Sequence, residues 1–272
     1  MLHLLTNKVT IFLHPEYIAA VRHEGFFRKR IGKNEIIPVE NSVDNTGYGR
    51  VVDALKMLLN KPEWQACNAN IVLSGHFAKF RVARWNQVLS KEEQKAVILH
   101  QLEEIYGVDD KKFRVFMSDS GFGKCSLAFA IEDGFYNQLL ELEKSKRFTL
   151  NSIVPYFVLI TNYWRKSISK NAWIIVKDSA YIYLTNIKEN SWEMVKVATV
   201  KEGWELEVER MLNREIVQLG RNDKGTSVYF HEDMQSNLNL DLFKNISPKI
   251  VMLRNVTHKE NREKSKFVNY LL

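Results

Sequence analysis

Only two cysteines, Cys67 and Cys125, occur in 272 residues, and neither stands in a CxxC pair. A disulfide framework is therefore not expected, and a reducing, cytoplasmic compartment fits this usage best. Long apolar runs are also missing. The longest, Ile153 to Thr161, falls well short of the ~20 residues that cross a bilayer, so no direct membrane insertion is expected. The apolar start, MLHLLTNKVTIFLHPEY, has neither a basic leader nor a small-residue cleavage site and reads as a first strand. The seven histidines, at positions 3, 14, 23, 76, 100, 231 and 258, form no HxxxH or HExxH pair, so no metal site is expected. Neither GxSxG nor GxxxxGK followed by Ser or Thr occurs, and no catalytic residue is expected.

What is present is ordinary for a folded protein. Hydrophobic residues make up 45% and charged residues 26%, and the length suits two lobes, each with a core of its own. A net charge of +7 and a pI near 9.2 allow attraction to nucleic acid, anionic lipid or acidic partners. The basic runs Arg28-Lys29-Arg30, Lys144 to Arg147 and Arg262 to Lys266 are scattered, however. Such runs read as solvated faces, and nucleic acid is not expected as a partner.

Periodicity organises the chain. Lys8 to Glu40 alternates apolar and polar residues in short runs, broken at Pro15, Glu24-Gly25 and Gly32-Lys33-Asn34, as a β-meander does. A helix follows with Val51, Val52, Leu55, Leu58 and Leu59 on one face, then strands at Asn70 to Ser74 and Phe77 to Trp85. Ser90 and Glu93 form a capping box, Gly107 supplies the helix stop, and Ile98, Leu102, Ile105 and Tyr106 form the stripe between them. Strand, strand, helix and strand follow up to Pro155, then a helix through Phe157, Ile160 and Trp164. The second half restarts with three strands from Ala172, a helix carrying Trp204, Val208, Met211, Leu212, Ile216 and Leu219 up to Gly220, and strands at Ser227 to His231 and Lys249 to Met252. Strands, helix, strand thus occurs twice, which implies a duplicated half-fold. The expected domains are 1–168, with an inserted α+β subdomain at about 77–147, then 169–257, then a polar tail at 258–272.

This plan is that of the ribonuclease H-like lobes of actin-like ATPases, an α/β two-lobed fold. The segments NIVLSGHFAKFRVARW and LHQLEEIYG carry a closer likeness. They resemble the cytoplasmic actin-like proteins of type IV pilus and type II secretion assembly platforms, the PilM and GspL families. There an LS-x-HF strand, a PW pair and a helix ending EE-I-YG recur. Here they stand as Leu73-Ser74-Gly75-His76-Phe77, Arg84-Trp85 without the proline, and Glu103-Glu104-Ile105-Tyr106-Gly107. Ser152-Ile153-Val154-Pro155-Tyr156 and Asn162-Tyr163-Trp164 continue the likeness, which covers most of residues 8 to 235.

The resemblance implies a cytoplasmic, non-enzymatic scaffold recruited to the inner membrane, which receives a cytoplasmic segment of a bitopic partner. Active actin-like ATPases hold Mg²⁺ and phosphate in a strand-turn-strand loop with an Asp at the strand end and a Gly in the turn. The matching positions here are Phe12, His14 and Pro15, a degenerate nucleotide loop, since proline offers no N–H and phenylalanine holds no metal shell. In the second half, Lys177-Asp178-Ser179 has no glycine, and Asp178 reads as a turn residue or as a surviving acid. After TSVYFHEDM the Gly-Gly turn of the adenosine pocket is missing. No cofactor, ATP included, is expected. Ser120-Gly121-Phe122-Gly123-Lys124 reads as a hairpin loop, and His76 as a histidine bonded to nearby backbone or as a partner contact.

The expected partner-binding residues are Phe77, Lys79, Arg81 and Trp85, an aromatic and cationic set alternating with Ala78, Phe80 and Val82. The competing reading covers Phe77 and Trp85 with the helix at 91–106. Two other functions stay open: a phosphotransferase of the sugar-kinase branch of the superfamily, and a basic adaptor that associates with nucleic acid.

Overall fold

The computed structural model describes residues 8–24, 30–40, 47–65, 67–107, 112–118, 120–145, 148–218, 226–232 and 250–253. The expected tail at 258–272, the basic runs at 28–29, 146–147 and 262–266, the Gly220 helix stop and residues 233–249 lie outside them.

Strand β1 (Lys8–Leu13) is buried from Val9 onward, and its apolar residues, interrupted only by Thr10, suit a central strand covered on both faces. It pairs antiparallel with β2 (Tyr17–Glu24), which pairs antiparallel with β3 (Arg30–Pro38). Gly32-Lys33-Asn34, expected as a break, lies inside β3; the register there shifts instead at Arg22/His23. Helix α1 (Tyr48–Asn60) buries the expected Val51, Val52, Leu55, Leu58 and Leu59 and returns the chain to β4 (Cys67–Leu73), parallel to β1. Farther on, α3 (Asp133–Ser145) leads to β8 (Phe148–Pro155), parallel to β4, which completes a sheet of order β3-β2-β1-β4-β8. Tyr48 stacks on Phe135 at 5.1 Å and joins the starts of α1 and α3.

Helix α4 (Tyr156–Trp164), the one expected through Phe157 and Ile160, follows β8, and the second sheet then repeats this plan. Antiparallel β9 (Ala172–Lys177), β10 (Tyr181–Lys188) and β11 (Ser191–Thr199) are followed by α5 (Trp204–Gln218), then β12 (Ser227–Glu232) parallel to β9 and β13 (Ile250–Met252) parallel to β12. The order is β11-β10-β9-β12-β13. Its core joins Trp173, Ile175, Leu184, Val208, Leu212 and Phe230.

Between the halves, β5 (Lys79–Ala83), α2 (Lys91–Tyr106), β6 (Phe113–Met117) and β7 (Ser126–Glu132) form a three-stranded sheet of order β5-β7-β6 with a helix on it. Ser90 and Glu93 make both bonds of the capping box, and Gly107 ends α2 at φ 63, the left-handed region that glycine occupies without strain. Ile98 and Leu102 are buried with Ala83, Val115, Ala128 and Ala130, whereas Ile105 is 52% and Tyr106 38% exposed: the buried stripe is narrower than expected.

The chain divides into two compact units: the described residues up to Ala78 together with Ile131–Leu159, and Lys79–Ala130 together with the described residues from Ile160 to Leu253. The insertion was expected at 77–147 within the first lobe. It is shorter, and its contacts lie in the second unit. Phe80 meets Tyr183 edge-on at 5.5 Å, β5 lies against β11, and the Cys125 N–H donates to Ser191 Oγ at 2.9 Å. Helix α3 and β8 stay with the first sheet, because β8 is its fifth strand.

Leu102 is fully buried in the small sheet's core. Leu102→Ala is predicted to lower unfolding stability by about 2–5 kcal/mol, read by urea denaturation, because the cavity left between α2 and the sheet collapses only partly. A loss near zero would mean that this packing is absent in solution.

Candidate functional site

In sheets of this kind ligands gather at the carboxyl ends of the parallel strands. In the first unit, the turn between β1 and β2 stands at that end. Phe12 is 1% exposed and its ring lies among those of His14, Tyr17 and Tyr156, at 6.3, 6.0 and 5.9 Å. His14 is buried. Its imidazole stacks on Tyr17 at 4.6 Å and meets His76 edge-on at 5.0 Å.

The hydrogen bonds decide what this turn offers. Pro15 has no N–H, and the next one, that of Glu16, donates to His14 Nδ1 at 3.2 Å. The His14 N–H donates to the Tyr17 carbonyl at 3.0 Å. Nδ1 is thus an acceptor, which fixes the neutral tautomer with the proton on Nε2. Burial pushes the His14 pKa down to about 4, the neighbouring His76 pushes it the same way, and Glu16 opposes them. His76 Nδ1 lies 2.9 Å from Ser74 Oγ, so this histidine bonds to a neighbouring side-chain hydroxyl.

In the second unit the equivalent turn follows β9. Asp178 is buried, and its Oδ1 accepts the N–H groups of Ala180 and Tyr181 at 2.8 and 2.5 Å while Oδ2 accepts the Tyr183 hydroxyl at 3.2 Å. That is the Asx turn of a turn-forming aspartate. Beside it Lys177 pairs with Glu232 at 2.9 Å, both side chains nearly buried, with its ammonium 4.9 Å from the Trp204 ring centre. Each turn spends its polar groups on its own chain. The residues present do not fit Mg²⁺ and a phosphate: an aromatic ring takes the place of the acid in one turn, and the acid of the other is committed to its own backbone. The segment after β12, where the missing Gly-Gly turn was expected, lies outside the described residues. Among the described residues, no group of three or more His, Cys, Asp or Glu is placed to hold a metal ion.

The four expected partner-binding residues do not share one strand face. Phe77 falls in a 3₁₀ turn, Gly75–Phe77, and packs on Phe135 at 4.9 Å within the first unit. Lys79 and Arg81 point toward α2: the Lys79 ammonium lies 5.5 Å from the Tyr106 ring centre, and Arg81 Nε donates to Gln101 Oε1 at 3.0 Å. Trp85 follows the strand, is 36% exposed and meets Phe122 edge-on at 4.9 Å. Arg81 and Trp85 both line a groove of about 550 Å3 between the end of β5 and α2, with Leu89, Val97, Ile98 and Gln101. Val97, an exposed apolar residue next to buried Ile98, is the sequence signal that marks this groove.

A duplicated sheet, each half a three-strand meander followed by a helix and a parallel strand, defines the actin-like ATPase fold. Comparison with solved structures agrees. The chain is similar to a Bacteroides thetaiotaomicron protein with an actin-like ATPase fold and unknown function, with a TM-score of 0.62 at 10% identity over 91% of each chain. It is similar to a chain of the PilM–PilN type IV pilus biogenesis complex, at 0.64 and 8% over 91% of this chain and 88% of that one. The cytoplasmic domain of EpsL, an inner-membrane component of the Vibrio cholerae type II secretion system, follows at 0.55 and 11%, over 98% and 92%. At these identities the likeness is one of fold. No family model matches the chain, and no curated protein matches it in sequence.

His14 and His231 are both buried and pushed by burial from 6.5 to about 4. Between those pH values the unfolded chain binds more protons than the folded one. The stability tied to the neutral rings is therefore whole above pH 6.5 and is lost as pH falls toward 4. Thermal unfolding followed across that window should show a falling Tm, and His14→Gln should flatten the slope. An unchanged slope in the variant would place the His14 imidazole in water.

Proposed function

We propose that this protein is a non-catalytic actin-like assembly component that binds a cytoplasmic segment of a bitopic membrane protein, at the cytoplasmic face of a type IV pilus or type II secretion-like platform. The observation that carries the reading is the closed β1–β2 turn, where the Glu16 N–H is taken up by His14 Nδ1 and Pro15 has no N–H to give. A phosphotransferase of the same fold would need that turn to cradle phosphate, so this geometry weighs against the sugar-kinase alternative. It equally supports the absence of ATP as a cofactor. The fold likeness to chains of pilus and secretion platforms supports the choice of machine, and no described helix is long and apolar enough to cross a membrane.

The groove beside α2 is the proposed seat of the partner segment. Val97 and Leu89 offer apolar contact, Trp85 a broad anchor, and Arg81 and Arg84 two cations. An apolar segment carrying a carboxylate suits that lining, since Trp and Arg concentrate binding energy when a partner excludes water from them. Lys79 flanks the groove through its contact with Tyr106. Phe77, in the first unit's core contact with Phe135, is the least suited of the expected set.

The double variant Arg81→Ala, Trp85→Ala is expected to lower capture of the partner segment by at least tenfold, as loss of an aromatic and an arginine hot spot does, while circular dichroism shows the fold retained. Capture at wild-type strength by the folded variant would remove the groove from the account.

A further inference from the structure

Strand β3 is an edge of the first sheet, and among the described residues only β2 pairs with it. It is nine residues long, and Gly32, Lys33, Asn34, Ile36 and Pro38 are exposed. An edge of this kind is a template for another strand, because its outward N–H and C=O groups already stand in strand geometry. The ladder with β2 fixes which groups face outward. The Val39 N–H donates to the Glu16 carbonyl at 2.8 Å, one step beyond the Tyr17–Pro38 pair and in the same register. Hydrogen-bonded pairs recur at every second residue of an antiparallel ladder, so Ile37, Glu35 and Lys33 turn their backbone groups to β2, while Ile36 and Asn34 turn theirs away. Pro38, next in the outward set, has no N–H and ends the row.

The side chains along this edge are self-complementary. Lys33 and Glu35 share one face of the strand, with Asn34 between them on the other. A twofold axis through Asn34 sets Asn34 opposite its copy as a hydrogen-bonded pair. Each Lys33 then stands directly opposite the copy's Glu35 at the closer, non-hydrogen-bonded spacing, where opposite charges attract across strands. The same axis sets Ile36, 54% exposed, over the copy's Gly32, which has no side chain to oppose it. Both charges are held within their own chain: Lys33 pairs with Glu63 at 2.6 Å, and Glu35 accepts from Lys61 and, at 2.7 Å, from the Trp64 indole N–H. Their side chains are still 47% and 21% exposed, so each keeps a side toward solvent. Lysine on an edge strand ordinarily deters pairing; an acid directly opposite makes it select the partner instead.

We propose that the outer edge of β3 is a docking surface for a second copy of this chain, the two β3 strands pairing antiparallel about Asn34 and joining two five-stranded sheets into one of ten. An unrelated strand would meet the same outward N–H groups, but here the order glycine, lysine, asparagine, glutamate, isoleucine is matched to its own reverse, which favours a second copy. Such a contact uses the same patch on both chains and is closed, so assembly through it stops at two. The inference goes beyond the function proposed above and does not rest on the groove, since β3 belongs to the first unit and the groove residues to the second. A dimer would offer two grooves to two partner segments.

The test is sedimentation velocity of the full chain over a rising concentration series at low salt, where exposed charge pairs are least screened. The wild type should pass from the mass of one chain to that of two. Asn34→Pro removes an outward N–H and spares the ladder with β2, so the folded variant should stay a monomer throughout. Lys33→Glu and Glu35→Lys each set like charges opposite one another at both pairs, and each alone should raise the dissociation constant by roughly tenfold. Mixed in equal amounts, the two should recover wild-type association, because every substituted position then meets an opposite charge. The groove variant Arg81→Ala, Trp85→Ala should dimerise as the wild type does. A wild type that is monomeric throughout, a folded Asn34→Pro that dimerises as strongly as the wild type, or a mixture no stronger than its components would overturn the proposal. So would loss of the dimer in the groove variant, which would move the contact to the groove.

Discussion

Two adjacent parallel strands cannot be joined by a tight turn, and that constraint governs both halves of this chain. Strands β1 and β4 require the crossover that α1 provides, and β9 and β12 require α5. Once the crossover is made, the only direct exit from the central strand is the hairpin to its antiparallel neighbour. The turns at His14–Glu16 and Asp178–Ala180 therefore stand at the carboxyl ends of the central strands in each sheet, where this architecture commonly places its ligand chemistry.

At both turns, groups that a phosphate would use bond within the chain instead. A phosphate needs unspent N–H donors and a cation or metal. The first turn has lost one donor to Pro15 and returns another, that of Glu16, to an imidazole held neutral by burial. The second commits its carboxylate to Ala180, Tyr181 and Tyr183, and its lysine to Glu232. Both arrangements satisfy buried polar groups within the fold.

Much of the fold was legible in the sequence because its periodicities are strong. The capping box of α2, the apolar run of β9 and the meander-helix-strand order, found twice, each have one local solution. The residues that were misread depend on contacts between distant segments. Ile105 continues a helical stripe on paper, yet it is exposed where Ile98 and Leu102 are buried. Phe77 alternates with its neighbours like a strand residue, but the 3₁₀ turn at Gly75 takes it to Phe135 instead. The assignment of Lys79–Ala130 to the second unit rests on Phe80 with Tyr183 and Cys125 with Ser191, pairs far apart in sequence. At the turn, Pro15 announced a missing donor, whereas the capture of the Glu16 N–H by His14 is a matter of side-chain orientation that spacing cannot carry.

The central claim is that the first turn, closed on its own histidine, leaves nothing for a nucleotide. Isothermal titration of the full chain with Mg-ATP examines it most directly. The account predicts no heat of binding beyond dilution. Micromolar binding that is lost when residues 12–16 are changed would contradict it, because the turn would then be opening to cradle phosphate despite Pro15 and His14.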